Sequence, residues 1–414
     1  MTSPQLDTRL PLNSRRATSV FGLSVLGLLT ANLLPFMVIA LEQSLELTVT
    51  EAGGVMTGSL LATAIGCIAS TRLADGNRRI LLARISLALS TIAFTAAAFG
   101  MGAPVTITAV ILGGAGLGGA LSASGAALAA LRNPNRMSAA NGIVNRAVVT
   151  VLLGIVPLFG IVLGSIFGLV AAISASLLIV AAWLPRAPLA DKPPTAPAGD
   201  AVPSLTGGQP SRLTTTAGFA LLGMYALWAV SEDSVWALAG TMGATQSGLS
   251  DAGIGLVLST SSAGGLVAAV LLTWVGARFG RAAPLAVLLI LGGMLKLAAA
   301  LTTDPALYML VLILWNTAYM AVFLLFIATA AALDTNGRFS GPAIGVYLFG
   351  SSFSPVIGGW LAETFGYAGF GWVVALVSWV LVIPVVIVAR VSTRLERQES
   401  ALHLAATASE EGLR

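Results

Sequence analysis

Long, almost uninterrupted apolar stretches alternate with short polar segments along nearly the whole chain. Twelve of them approach or exceed the roughly 20 residues that a helix needs to cross the hydrocarbon core of a bilayer. Within each stretch the apolar residues run continuously and not in a two-residue alternation, which excludes a membrane β-barrel and predicts membrane-spanning helices. The predicted spans are residues 18–41, 51–71, 80–100, 104–130, 138–163, 165–185, 215–237, 251–274, 282–302, 305–332, 341–362 and 368–390.

The composition supports a membrane protein and excludes several other classes. Of the 414 residues, 57% are hydrophobic and 9% are charged, whereas a typical soluble domain has about 25% charged residues. This excludes an ordinary soluble enzyme, a disordered protein and a nucleic-acid binder. The single cysteine, Cys67, and the single histidine, His403, offer no ligand set for zinc and no histidine-based nucleophile. We therefore expect no metal, no cofactor and no enzymatic activity.

The positive charges predict the topology of the chain. All but two of the 21 Lys and Arg residues fall on one side of the membrane under this assignment, the exceptions being Arg146 and Lys296. The positive-inside rule makes that side cytoplasmic, so both termini are expected in the cytoplasm. Because Arg is far commoner than Lys, we expect a bacterial source and a multi-pass protein of the plasma membrane, here the inner membrane.

A proline-rich segment divides the chain. Residues 186–213 contain six prolines together with Gly, Ser and Thr, which predicts a flexible cytoplasmic linker. It separates an N-terminal six-helix bundle, residues 18–185, from a C-terminal one, residues 214–390. The remaining residues, 1–17 and 391–414, are expected to form short cytoplasmic tails.

The two halves match at a constant offset of 202 residues. Residues 73–79 fall opposite 275–281, and Arg136-Met137-Ser138 falls opposite Arg338-Phe339-Ser340, in equivalent cytoplasmic loops. Two matching loops in one register indicate an internal repeat. Repeated halves with one orientation are typical of many secondary transporters.

With its twelve spans, its division into six plus six and its basic loops after spans two and eight, the chain resembles the major facilitator superfamily. That family has a loop motif of the form Gly-x-Leu-Ala-Asp-Arg-x-Gly-Arg-Arg, of which this chain keeps Leu73, Ala74, Asp75, Arg78 and Arg79. The resemblance implies twelve helices in two repeats, with spans one, four, seven and ten lining a central cavity. It also implies a cytoplasmic gate; alternatively, the arginines only anchor helix ends. The gating candidates are Asp75, Arg78, Arg79, Arg278 and Arg281.

Two adjacent acids in the seventh span are the candidate proton-coupling residues. Glu232 falls opposite Thr30 in the 202-residue register, near mid-span, and Asp233 follows it. Ionisable groups at membrane depth are costly and therefore functional candidates, and a carboxyl in a medium of low dielectric binds protons more readily than one in water. Alternatively, both acids mark an early outer end of the helix.

Polar and aromatic residues on the expected cavity helices are the candidate substrate-binding residues. Arg146 could bind a substrate carboxylate in a bidentate pair, neutralise Glu232, or snorkel to the inner headgroups. Lys296 lies near the end of a peripheral span, so snorkelling is favoured for it. The glycines of span four, Gly113, Gly114, Gly116, Gly118 and Gly119, predict close helix contact. The substrate candidates are Asn32, Asn141, Asn145, Arg146, Tyr225, Trp228, Trp236, Trp315, Asn316, Tyr319, Tyr347 and Ser351.

The sequence thus predicts a monomeric secondary transporter in the lipid bilayer that works by alternating access. It has no Walker phosphate loop, so a proton gradient is the expected energy source and a small organic anion the favoured cargo. Export of lipophilic compounds or drugs is the alternative. A membrane sensor that does not transport is a more distant one, since the tails are too short for a signalling domain.

Overall fold

The computed structural model describes residues 10–75, 78–185, 212–333 and 338–411. These residues are almost entirely helical, and β-type pairing among them is confined to one isolated bridge between Leu10 and Leu131. Nine helical segments of the described chain are long and apolar enough to cross a membrane. The all-helical prediction is therefore confirmed at this level.

The chain divides into two compact units. Among the described residues, the first unit contains 10–75, 78–185 and 249–259, and the second contains 212–248, 260–333 and 338–411. The predicted boundaries placed 249–259 in the C-terminal bundle instead. The helices of the first unit are α1 (Ser14–Gly27), α2 (Leu29–Asn32), α3 (Leu34–Leu45), α4 (Val49–Ala69), α5 (Thr71–Asp75), α6 (Arg79–Ala98), α7 (Ala103–Ala129), α8 (Pro134–Ile155) and α9 (Leu163–Val180).

The second unit is built from longer helices. Its last helix, α15 (Ser354–Glu411), contains one non-helical residue, Gly366, with φ 68° and ψ 171°. Glycine adopts this conformation at little cost. This break lies between the eleventh and twelfth predicted spans. The helices are α10 (Arg212–Thr245), α11 (Asp251–Phe279), α12 (Ala282–Leu301), α13 (Pro305–Ala331), α14 (Ser340–Ser352) and α15 (Ser354–Glu411).

The first predicted span is not one continuous helix. The backbone leaves helical geometry at Leu28 and again at Leu33, so that α1, α2 and α3 follow one another as separate helices. Pro35 lies in the first turn of α3, where its missing N–H costs nothing. The breaks place Thr30 and Asn32 on the four-residue helix α2.

Local caps explain where several helices begin. Thr48 and Glu51 form a capping box at the start of α4, and the Asp304 side chain accepts a hydrogen bond from Leu307 N–H (2.7 Å) at the start of α13. These side chains bind amide groups that have no partner within the helix.

The glycines of α7 allow close helix packing, as predicted. A Cβ atom at Gly114 would fall against the carbonyl oxygen of Ser59, and one at Gly118 against that of Thr63. Both serve contact between α7 and α4, which pack extensively. Replacing either glycine by a residue with a Cβ atom would force the backbones of α4 and α7 apart.

Part of the predicted organisation lies outside the described residues. This holds for 186–211, which make up most of the predicted linker, and for the outer parts of both predicted tails, 1–9 and 412–414.

Candidate transport site

A buried ion pair lies in the second unit, between α10 and α12. Lys296 Nζ donates to Glu232 Oε1 (3.0 Å), and both side chains are almost completely buried. The same nitrogen donates to Ser231 Oγ and Ser378 Oγ, both at 2.6 Å. Three acceptors therefore satisfy the three N–H groups of the lysine.

Glu232 is held by a second helix as well. Trp315 Nε1, on α13, donates to Glu232 Oε2 at 2.7 Å, so each carboxylate oxygen receives a hydrogen bond. α10 continues for 13 residues beyond Glu232, to Thr245, about 20 Å of helix. Glu232 is 2% exposed. The alternative interpretation, an acid at an early helix end in water, is therefore wrong.

Lys296 does not snorkel, and that prediction is also wrong. The side chain is 0% exposed and reaches from α12 to α10 and α15, where its charge meets Glu232 and its other N–H groups meet two serines. A lysine snorkels when water or headgroups are the better partners; here a carboxylate and two hydroxyls replace them. The cation that neutralises Glu232 is thus Lys296, a role considered for Arg146.

Asp233 begins a second polar chain. Tyr347 OH, on α14, donates to Asp233 Oδ2 at 2.7 Å, and the Tyr347 and Tyr319 hydroxyls are themselves hydrogen-bonded. The Tyr225 ring lies 5.2 Å from that of Tyr347, and its buried hydroxyl has no hydrogen-bond partner among the described residues. Of the predicted substrate residues, Tyr347 thus contacts the predicted proton-coupling residue Asp233 directly, and Tyr319 and Tyr225 contact Tyr347.

The predicted aromatic residues of α10 and α13 form one cluster. Trp228 stacks on Tyr225 (5.9 Å between ring centroids) and on Tyr319 (5.5 Å), and Tyr319 stacks on Trp315 (5.9 Å). Tyr225 and Trp228 are each 1% exposed and belong to the apolar core of the second unit. Of the remaining candidates in this unit, the structure buries Trp236, Asn316 and Ser351.

A different polar group lies in the first unit, between α1, α2 and α8. Asn32 Nδ2 donates to Asn145 Oδ1 at 3.4 Å, and Asn141 Nδ2 donates to Ser24 Oγ at 2.8 Å. We call Ser24, Asn32, Asn141 and Asn145 the amide patch. Asn141 Oδ1 and Asn145 Nδ2 are buried without a hydrogen-bond partner among the described residues. Unsatisfied buried amide atoms are costly and indicate a place where a ligand's polar groups can bind.

Arg146 follows Asn145 directly on α8 and is half-buried. Asn141, Asn145 and Arg146 all lie on α8, so two members of the amide patch share one stretch of helix with this guanidinium. The structure thus brings together three of the predicted substrate residues, Asn32, Asn141 and Asn145, on neighbouring helices of the first unit.

The candidate gating arginines differ from one another. Arg79 is 3% exposed, and its guanidinium donates to the carbonyl oxygens of Ala74 (2.7 Å) and Pro185 (2.9 Å), so it anchors chain ends within the first unit. Arg78 is exposed and Arg281 is half-buried. The side chains of Asp75 and Arg278 lie outside the described part of the structure.

Comparison with known proteins identifies the family. The sequence profile of the Major Facilitator Superfamily matches residues 20–341. No curated protein matches the sequence. Among solved structures, the chain is similar to the nucleoside transporter NupG (14% identity, TM-score 0.69, covering 92% of this chain and 99% of that one). It is also similar to a peptide transporter POT in complex with sulfate (12%, 0.73, 96% and 99%) and to a D-xylose-proton symporter (16%, 0.66, 89% and 95%).

The chain belongs to the Major Facilitator Superfamily. It is accordingly a multi-pass membrane transporter and not an enzyme. Within the described residues, no group of three or more His, Cys, Asp or Glu side chains could hold a metal ion.

Sequence reasoning missed three members of the buried charge cluster: Lys296 as a partner of Glu232, and Ser231 and Ser378 as partners of Lys296. One signal was available. Among the residues of the predicted second-half spans, Lys296 is the one cation at depth and Glu232 one of two adjacent acids. Opposite charges in one apolar bundle are stable only when they meet.

Proposed function

We propose that this protein is a secondary active transporter that moves a small organic solute by alternating access, driven by a proton gradient. One observation supports this most directly: a member of this superfamily holds an ionised pair, Glu232 and Lys296, in the buried interior of one unit. Burying two charges costs several kcal/mol per ion, only partly recovered by their attraction. Such groups at membrane depth mark ion or substrate pathways.

We also propose twelve membrane spans with both termini in the cytoplasm. Within the part of the chain that the structure describes, nine segments qualify by length and apolarity, and one of them, Pro342–Arg394, contains two predicted spans joined at Gly366. The broken helices α1–α3 provide the first span, and α11 provides the eighth. The basic loops support the cytoplasmic termini through the positive-inside rule.

Glu232 is the proposed proton-binding residue and Asp233 the second candidate. Glu232 is 2% exposed and is hydrogen-bonded by Lys296 and Trp315, and ionisable groups at membrane depth are functional candidates. One similar solved structure is that of a D-xylose-proton symporter, so the fold is compatible with proton coupling.

A small organic anion is the favoured cargo. The predicted topology places two cations away from the cytoplasmic side, Arg146 in the first unit and Lys296 in the second. The amide patch offers further donors and acceptors for the cargo's polar groups, and the aromatic cluster favours a cargo with a ring. Export of a lipophilic compound is the second candidate function, and the size of that aromatic cluster favours it.

Transport assays in proteoliposomes test this proposal. Glu232→Gln keeps the size and the Trp315 acceptor but cannot release a proton, so we expect it to lose accumulation driven by an inward proton gradient while exchange of cargo persists. Asp233→Asn makes the corresponding change at the second candidate on the same helix, and loss of accumulation there alone would assign the coupling to Asp233. Accumulation by Glu232→Gln at the wild-type level would assign proton coupling to another residue.

The cargo class has its own test. Replacing Arg146 by Ala should abolish anion uptake, whereas Arg146→Lys should keep part of it, because a lysine retains the charge but not the bidentate fork. Uptake of organic anions that is unchanged in Arg146→Ala would favour export of lipophilic compounds.

A further inference from the structure

The amide patch of the first unit contains two buried atoms that are available for hydrogen bonding, and they have opposite polarity. Asn141 Nδ2 donates to Ser24 Oγ (2.8 Å), which leaves Asn141 Oδ1 as an acceptor. Asn145 Oδ1 accepts from Asn32 Nδ2 (3.4 Å), which leaves Asn145 Nδ2 as a donor. Neither available atom has a hydrogen-bond partner among the described residues. The contacts with α1 and α2 thus determine which end of each amide a ligand can bind.

The spacing of these two amides restricts the group that can bind both of them. Asn141 and Asn145 are four residues apart on α8, so their side chains are neighbours on one face of the helix, with Cβ atoms about 5–6 Å apart. A ligand that satisfies both must present a donor and an acceptor on the same side. A trans amide directs its N–H and its C=O to opposite sides. A cyclic amide, in which the ring imposes the cis arrangement, directs both to the same side.

The charges of the surrounding helices argue against an ammonium group as the donor. α1, α2 and α8 carry no acidic residue, and neither do α7 and α9, which pack on α1. A buried ammonium group needs a carboxylate beside it, so an amine or a zwitterion does not fit. Arg146 directly follows Asn145 on α8 and is the proposed partner of the cargo's negative charge. The group that binds the patch is therefore neutral, and the charge of the cargo is negative.

We infer that the amide patch recognises the cis N–H and C=O edge of a cyclic amide, a lactam or a cyclic imide. Asn141 Oδ1 accepts from the ring N–H, and Asn145 Nδ2 donates to the ring carbonyl, while Ser24 and Asn32 are positioning residues. The inference deepens the proposed function, on which it rests: the cargo is an organic anion whose ring has this edge. Orotate, a uracil ring with a carboxylate, is the probe. Benzoate has the same ring size and charge without the edge.

Calorimetric titration of the purified protein compares these ligands without any change to the chain. We expect orotate to bind about 10- to 100-fold more tightly than benzoate, because it adds two hydrogen bonds to buried groups. 1,3-Dimethylorotate keeps the ring, the charge and the carbonyls but has no N–H, so its affinity should be about tenfold below that of orotate. Equal affinities for the three ligands would overturn the inference.

Two variants test the individual hydrogen bonds. Asn141→Leu removes the acceptor and Asn145→Leu removes the donor, at similar side-chain volume. Each should weaken orotate binding about tenfold and leave benzoate binding unchanged, which also shows that the fold is retained. Thr150→Val removes a hydroxyl from the same helix outside the patch and should change the binding of neither ligand. Wild-type orotate affinity in either asparagine variant would overturn the inference, and so would an equal loss for orotate and benzoate.

The positioning residues have a separate readout. In Ser24→Ala the Asn141 amide loses its partner and can turn, so that it presents its NH₂ group in place of Oδ1. In Asn32→Ala the Asn145 amide can turn in the opposite sense. We expect the preference for orotate over benzoate to fall about threefold in each variant. A variant that only loosens the packing would weaken both ligands equally, and that result would contradict the positioning role.

A flux assay separates this inference from the proposed function. In proteoliposomes with an inward proton gradient, orotate should be taken up in preference to benzoate. Binding that is selective for orotate without any flux would contradict the proposed transport and leave the role of the patch intact. Equal uptake of orotate and benzoate would overturn the inference and leave transport intact. Uracil binding as tight as that of orotate would contradict an anionic cargo and leave the recognition of a cyclic amide intact.

Discussion

Equivalent places in the two units are occupied by very different chemistry. In the 202-residue register Glu232 corresponds to Thr30, Lys296 to Phe94 and Trp315 to Gly113. In the second unit these three residues form the buried charge cluster. In the first, the Phe94 ring lies where a Cβ atom of Gly113 would otherwise be.

A second pair of equivalent positions shows a shared arrangement. Asn145 corresponds to Tyr347, and each is hydrogen-bonded to a residue close in sequence to Thr30 or to Glu232. Asn145 accepts a hydrogen bond from Asn32, and Tyr347 donates one to Asp233. The same helix contact is thus kept with different side chains. The second unit therefore contains a buried ion pair, whereas the first contains the amide patch, in which two buried amide atoms have no hydrogen-bond partner among the described residues.

The largest effect is expected from removing the buried cation. Lys296→Met leaves Glu232 buried without its partner, which should lower the free energy of unfolding by about 3–5 kcal/mol. Thermal unfolding in detergent measures this. The loss should shrink as the pH falls, because protonation removes the unpaired charge. Phe94→Leu, at the equivalent place in the first unit, should cost about 1 kcal/mol; equal losses would remove the contrast between the units.

A smaller effect is expected at the indole that bonds Glu232. Trp315→Phe removes a hydrogen bond to a carboxylate and should cost about 1.5–3 kcal/mol. Trp228→Phe is the matched control, since Trp228 stacks in the same cluster without a hydrogen bond to the acid. If both variants unfold at the same temperature, the bond to Glu232 contributes nothing beyond packing.

The first unit should be more sensitive to volume than to charge. Gly118→Ala adds a methyl group against the carbonyl oxygen of Thr63, so we expect a loss of about 1–3 kcal/mol from overpacking. Gly125, on the same helix, has open space around it. Gly125→Ala should therefore leave thermal stability unchanged or raise it slightly, and a comparable loss in both variants would contradict close packing as the cause.

The smallest stability effect is expected in the amide patch. Asn32→Ala removes a long hydrogen bond, 3.4 Å, so the cost should be about 0.5–1 kcal/mol. Tyr347→Phe, which removes the 2.7 Å bond to Asp233, should cost more. We expect Asn32→Ala to reduce cargo transport more clearly than stability. A large drop in unfolding temperature with normal transport would make the patch structural.

The sequence predicts the helical class and the family because both depend on features that repeat many times along the chain. Continuous apolar runs define the helices, and basic loops at a constant offset define the repeat. The breaks at Leu28 and Leu33 were not predictable in this way, since neither residue interrupts a helix by its own chemistry. Their local signals are single residues: Gly27 directly precedes the first break and Pro35 follows the second by two positions, and both residue types disfavour a continuous helix.

The site was predicted unevenly for a related reason. Glu232 was found because its depth follows from its place in the repeat. Lys296 was misjudged because its distance from the helix end, at Leu301, says nothing about the direction of its side chain. That direction depends on Ser231, Glu232 and Ser378, which are 65, 64 and 82 positions away in the sequence and meet Lys296 only through the packing of three helices.

Infrared difference spectroscopy of the protein saturated with benzoate, a simple aromatic anion of the proposed cargo class, tests the proton-binding role of Glu232 most directly, because it detects the carbonyl stretch of a protonated carboxylic acid. We expect this band to appear on adding benzoate to the wild type, to persist in Asp233→Asn and to be absent in Glu232→Gln. A band that remains in Glu232→Gln, or no band in the wild type, would contradict the assignment of the proton to the partner of Lys296.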